Sequence, residues 1–326
     1  MSRTRRSFTF GMLSPLLARG QAQPQVKTEP RPKLGNTAEL RKNPPANLRV
    51  DLNVVLVPVT VCDPFSRPVT GLEKEHFKIF DDKVEQTITH FAMDDEPVAV
   101  GLVFDISGSM SAKLQKSRVA AAQFFKTANP DDEFFLVEFN DQPKLEVPLT
   151  RDVEDIQNHL TFAQSKGRTA LLDAIFLAMH ELKKSKKNRK ALLIISDGGD
   201  NSSRYSEAEV RNLVREADVL IYAIGIFEPY GTRGRTPEEA AGPGLLNDLC
   251  EQTGGRHLPA DVNELPDIAG KIGVELRNRY VLGYTPTNAT RDGRYHTLQV
   301  KVITPKELKL PTLRAYFRKG YYAPSE

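Results

Sequence analysis

The sequence predicts an α/β fold, a doubly wound, mostly parallel sheet inserted in a small β-sandwich formed by the N- and C-terminal strands. Three observations carry this. Between residues 96 and 279, short apolar runs alternate with amphipathic stretches, the pattern of strand–helix units that wind a parallel, Rossmann-like sheet. On both sides of that segment the chain reads as strands and turns without a helical period. The length of 326 residues exceeds one ordinary domain and suits two.

Taken in order, residues 48–95 form the first part of the sandwich. Val50–Val61 is β-branched and partly alternating, and Pro58 argues for an edge or a bulge. Phe77–Phe80 is a second short strand, Asp81-Asp82-Lys83 a turn, and Gln86–Phe91 an alternating strand. These are too few strands to close a core, so partners are expected from residues 280–326, at Tyr280–Tyr284, Tyr295–Ile303 and Thr312–Phe317. Between the two parts, strands are expected at Val98–Phe104, Glu133–Phe139, Lys190–Ser196, Val219–Ile226 and Arg256–Ala260, with Lys144–Leu149 as an antiparallel edge. Helices are expected at Lys113–Ala128 (apolar Leu114, Val119 and Phe124 roughly one or two turns apart), Asp152–Phe162, Thr169–Lys184 (Leu172, Ile175, Phe176 and Met179 inward), Ser206–Asp218, Leu245–Thr253 and from a cap at Asn263 to Arg279. The stretch from Glu228 to Gly244, rich in Gly, Pro and charge, is long for a connection in a compact domain.

The chemistry gathers where the first buried strand stops. Val98–Phe104 runs into Asp105-Ile106-Ser107-Gly108-Ser109, a carboxylate and two hydroxyls at the carboxyl end of a strand. Ligands bind there in open parallel sheets, and hard oxygen donors suit Mg²⁺, Mn²⁺ or Ca²⁺ rather than zinc or copper. Alone the motif is weak, because strand-end turns favour Asp, Ser and Gly. Two later segments strengthen it. Lys166–Ala174 offers Thr169 at the start of a helix, and a second buried strand ends in Asp197.

These three loops resemble the von Willebrand factor type A (integrin I-like) domain, and the resemblance covers about Val98 to Arg279. It implies a metal-ion-dependent adhesion site. Ser107 and Ser109 are then direct ligands, Thr169 a direct ligand in the ligand-ready state, and Asp105 and Asp197 hold the ion mainly through water. It also implies a protein partner that presents a Glu or Asp carboxylate to the ion. The flanks, Arg67–Phe91 and Arg279–Pro324, resemble those of exported bacterial proteins of the VWFA-related type common in acidobacteria. Asp173 and Asp200 are candidates for supporting the ligands through hydrogen bonds. Asp200 and Asn201 alternatively cap the helix that begins near Ser202. Tyr230, Arg233 and Arg235 are expected to flank the ligand surface, since their loop follows a strand that ends on the same rim.

Other classes are poorly supported. Residues 1–22 read as an export signal, with Arg3, Arg5 and Arg6 before a short apolar run and small residues at Gly20 and Ala22. Thr4–Phe8 also resembles a twin-arginine signal. The Pro-rich residues 23–47 read as a linker, and the expected location is the periplasm, cell surface or exterior. The whole chain has 45 basic and 42 acidic residues; without residues 1–22, 41 face 42, which gives no support to nucleic-acid binding. No apolar run reaches the ~18 residues of a membrane span. Cys62 and Cys250 read as buried free thiols. The six histidines show no zinc-ligand spacing, no Gly-x-Ser-x-Gly elbow or phosphate loop is present, and no catalytic residue is expected. The leading reading is a cation-dependent protein-binding module of an exported protein. The alternatives are a metal-assisted hydrolase and a structural envelope protein with a vestigial metal site.

Overall fold

A computed structural model describes residues 54–226, 237–287, 293–304 and 312–325. The expected signal and linker, residues 1–47, lie outside the described residues, as do Tyr230, Arg233 and Arg235. In chain order the strands are β1 (Val55–Cys62), β2 (Phe77–Asp81), β3 (Val84–Gln86), β4 (Ile88–Asp94), β5 (Val98–Asp105), β6 (Glu133–Phe139), β7 (Pro143–Thr150), β8 (Arg189–Ser196), β9 (Leu220–Ile226), β10 (His257–Ala260), β11 (Arg279–Tyr284), β12 (Tyr295–Val302), β13 (Arg314–Phe317) and β14 (Gly320–Tyr322). The helices are α1 (Leu114–Phe125), α2 (Val153–Phe162), α3 (Leu171–Leu182), α4 (Glu207–Glu216), α5 (Pro237–Thr253) and α6 (Leu265–Arg277).

Among the described residues the strands form three sheets. The largest has the order β10-β9-β8-β5-β6-β7 and is parallel except for β7, which pairs antiparallel with β6. Its two faces carry separate apolar cores. One joins it to α1, α2 and α6, the other to α3, α4 and α5. A strand covered on both faces needs apolar side chains at successive positions, and all eight residues of β5 are buried. The chain leaves β5 toward β6 on one side and later returns to β8 on the other. The strand order therefore reverses at β5/β8, and the loops leaving these strands diverge to open a crevice.

The other two sheets, β13-β1-β11-β4 and β14-β12-β2-β3, draw strands from both ends of the described chain. They enclose one core that includes Val57, Val59, Ile79, Tyr280, Tyr284, Leu298 and Val300. Neither end holds enough strands alone, so burial of the apolar faces requires the long-range pairing of β1 with β11 and of β2 with β12.

Several sequence expectations are revised. Gln86–Phe91 is not one strand: β3 pairs in one sheet and β4 in the other, so the chain changes sheets at Thr87. Pro58 lies in a strand with two neighbours, but the β13 pairing starts only at Val59. At Pro58 the strand is locally an edge, which tolerates a residue that cannot donate. Of the apolar residues noted in α1, Val119 is 44 % exposed, because a five-residue spacing from Leu114 carries it past the buried stripe of a helix. The last helix is capped at Glu264, not Asn263, with a proline in its first turn. Cys62 and Cys250 are free and buried.

Candidate metal-binding rim

The site is assembled from the carboxyl ends of β5, β6 and β8. Asp105 is the last residue of β5 and fully buried. One of its oxygens accepts the backbone N–H of Ser107 at 2.8 Å, an Asx turn that sharply bends the chain out of the strand. The other accepts the hydroxyl of Ser196, the last residue of β8, at 2.6 Å. The hydroxyls of Ser107 and Ser109 lie 3.1 Å apart, so two oxygens of the motif already converge.

The second loop is woven onto the first through its backbone. Gly108 N–H donates to the Gly167 carbonyl at 3.0 Å, and Lys166 N–H to that of Ile106 at 2.9 Å. Gly167 has φ +80°, and a Cβ there would collide with the Asp141 carboxylate, so glycine is required at this turn. Thr169 is 5 % exposed. It lies in the turn before α3 rather than on the helix, which starts at Leu171.

The third loop grips the second. Asn201 Oδ1 accepts the Thr169 N–H at 2.9 Å, while Asn201 N–H and Ser202 N–H donate to the Thr169 carbonyl at 3.0 and 3.1 Å. Asp200 does not cap the helix that follows it. Its Oδ1 accepts the N–H of Leu171 at 2.8 Å, that of Leu172 at 3.4 Å and the Ser203 hydroxyl at 2.6 Å, so it caps α3, from the neighbouring loop. Ser206 and Glu209 form the capping box of α4. Asp173 Oδ1 accepts the N–H groups of Arg204 and Tyr205 at 2.8 and 3.0 Å, fixing the approach to α4.

Asn201, expected like Asp200 as a cap of the following helix, instead holds Thr169. Sequence reasoning missed three residues here. Ser196 holds Asp105, and Asp141 Oδ1 accepts the Arg168 N–H at 2.9 Å. The third is Lys113, whose ammonium lies 3.1 Å from Asp197 Oδ2, both side chains only 10 % and 11 % exposed. The basic residue shortly after the serine motif was the only signal for it.

The electrostatics favour a cation. Burial, and then the charge of Asp197, push Asp105 up to about 7. Among the described residues no lysine or arginine pairs with Asp105, while Lys113 is engaged by Asp197. A buried carboxylate beside a second one, with two converged hydroxyls, is a donor set of hard oxygens in need of positive charge. The residues present fit a divalent ion. The arrangement can bind; among the described residues no histidine or thiol joins it, and Asp105 is tied down by two donors.

Residues 100–199 match the sequence profile of the von Willebrand factor type A domain family. Among curated relatives, inter-alpha-trypsin inhibitor heavy chain 4 of Mus musculus is 27 % identical over 146 residues, 40 % of this chain and 16 % of that protein. An uncharacterized protein of Borreliella burgdorferi is 27 % identical over 175 residues, 47 % of this chain and 51 % of that protein. The chain thus spans about half or less of the length of these two relatives. Among solved structures, a von Willebrand factor type A protein from Catenulispora acidiphila aligns at 13 % identity and TM-score 0.48 over 76 % of this chain and 72 % of its own. The von Willebrand factor domain of the type V pili tip protein Mfa5 from Porphyromonas gingivalis aligns at 13 % identity and TM-score 0.44, over 57 % of this chain and 98 % of its own.

Proposed function

Because the chain carries a von Willebrand factor type A domain, we propose that its rim binds one divalent cation and, through it, an acidic side chain of a partner protein. Asp105, Ser107, Ser109, Thr169 and Asp197 hold the ion. A bound Mg²⁺, Mn²⁺ or Ca²⁺ supplies a positive centre for one anionic oxygen from outside. The chain's own residues do the rest. The Ser107 N–H and the Ser196 hydroxyl orient Asp105. Asn201 pins Thr169 by its backbone and leaves the hydroxyl available. Lys113 keeps Asp197 neutralised at the edge of the site. The export-signal pattern of residues 1–22 supports a setting in the periplasm, at the cell surface or outside the cell, and among the described residues no helix is long and apolar enough to cross a membrane.

The observation that carries the reading is the pair of hydroxyls 3.1 Å apart beside a fully buried carboxylate without a cationic partner among the described residues. Calorimetric titration of the full chain with Mg²⁺ and Mn²⁺ tests it. Saturable binding in the parent, lost in both Asp105→Ala and Thr169→Ala, is expected; heat that persists in both variants overturns the site. Partners captured from an envelope extract in Mg²⁺ should leave with chelator, and retention after chelation overturns the cation-bridged mode.

A further inference from the structure

Strand alternation puts Glu138 on the face of β6 that also carries Phe134 and Leu136, where the sheet packs on an apolar core. It is only 7 % exposed. Its Oε1 is buried without a hydrogen-bond partner, and no basic group among the described residues forms an ion pair with the carboxylate. Isolated burial of this kind is expensive. Burial, then the charge of Glu146, push Glu138 up to about 7.

Glu138 lines a cavity of about 310 Å³ together with Glu146, Asn158, His159, Phe162 and Ala163, a volume at the small end of ligand pockets (~300 Å³). Lys144, His159 and Arg118 hold that rise in check from nearby, but each also has another acceptor. Lys144 pairs with Glu146 at 2.9 Å, His159 Nδ1 lies 3.0 Å from the Asp155 carbonyl oxygen and 3.4 Å from its carboxylate, and the Arg118 guanidinium from α1 donates to the Ala163 carbonyl. Phe162, the last residue of α2, lines the same cavity and is 81 % exposed. A negative, desolvated floor under an exposed aromatic ring calls for a flat cation on an apolar stem.

We propose that this cavity receives the guanidinium of an arginine side chain presented by a partner protein. A guanidinium N–H donates to the carboxylate while the planar group lies against an aromatic face, whereas an ammonium makes no such stack. The incoming charge supplies what the unpaired Glu138 lacks. This binding is separate from the cation rim and does not depend on it.

The test is titration of the full chain, in chelator, with the peptide acetyl-Gly-Arg-Gly-amide. Its citrulline counterpart, neutral and nearly isosteric, and its lysine counterpart are the comparisons. Saturable arginine binding, at least about tenfold tighter than citrulline and tighter than lysine, is expected. Affinity should rise from about pH 6 to about pH 8, since only the ionised carboxyl attracts the cation. Glu138→Gln should lose about tenfold at pH 8 and Phe162→Ser a smaller factor. Folding of the Gln variant is checked by its melting temperature. A carboxyl raised in the folded state adds stability below its unfolded value of 4.5, and that stability is lost as pH rises through about 7. Glu138→Gln should therefore melt above the parent at pH 8. No saturation up to about 10 mM, equal binding of the arginine and citrulline peptides, or undiminished binding by a folded Glu138→Gln overturns the proposal.

Discussion

The doubly wound domain and the β-sandwich each close a strand on a buried aspartate, Asp105 at the end of β5 and Asp81 at the end of β2. Their surroundings differ. Asp81 accepts the phenol hydroxyls of Tyr284 at 2.7 Å and Tyr321 at 2.9 Å, and His296 Nδ1 lies 3.2 Å from it. Tyr284 comes from one sheet of the sandwich, and His296 and Tyr321 from the other, so Asp81 stitches the two layers together. Asp105 is held by one backbone N–H and one hydroxyl, with the Asp197 carboxylate as its near electrostatic neighbour. The first carboxylate is saturated by protein donors; the second is oriented but left short of positive charge. A carboxylate at a strand end is thus a structural tie or a candidate cation ligand according to what other strands bring to it.

Asp81→Ala leaves two phenols without an acceptor and should cost about 3 kcal/mol of unfolding free energy. Asp105→Asn, unfolded in chelator, should change stability by less than about 1 kcal/mol while abolishing divalent binding. Urea titrations of both variants read the first contrast, and calorimetry with Mg²⁺ reads the second. Equal stability losses would make Asp105 a structural tie like Asp81.

Lys113→Met sharpens the electrostatic half of the comparison. Its ammonium competes with an incoming ion for Asp197, so its removal should tighten Mn²⁺ binding by about tenfold. Weaker binding in the variant would show that Lys113 orients Asp197 rather than competing for it. The smallest effect concerns the cap of α3. Asp200→Ala removes the acceptor of Leu171 and Leu172 N–H and should cost about 1 kcal/mol by thermal unfolding. Asn201→Ala removes the acceptor of the Thr169 N–H and should cost a similar amount, but unlike Asp200→Ala it should also weaken divalent binding.

Much of the doubly wound fold is legible in the linear order. A strand buried on both faces must be continuously apolar, and Val98–Phe104 and Ala191–Ile195 have that form. The candidate ligands are legible for a related reason: Asp105 and Asp197 each end such a run, where an open sheet places its ligands. Lys113, Ser196 and Asn201 carry no comparable local signal. A lysine just before a helix, a serine at a strand end and an asparagine after two glycines and an aspartate are ordinary turn chemistry. Phe176, expected inward, is half-buried and stacks on Tyr205 at 3.8 Å between ring centres. Glu138 is disguised in a different way, since nothing in the run Glu133–Phe139, with an acidic residue at its start and another near its end, tells which carboxylate is buried.

By itself, the sequence determined the period of each element and the three oxygen-bearing loops, because side-chain alternation and turn chemistry are local properties of the chain. Only the tertiary structure decided which groups face one another. The Ser196 hydroxyl meets Asp105 at a sequence separation of 91, and Asp81 meets Tyr321 at a separation of 240. Those meetings follow from strand order, and strand order is set by the burial of whole faces, a free energy summed over many residues that no short stretch of sequence contains.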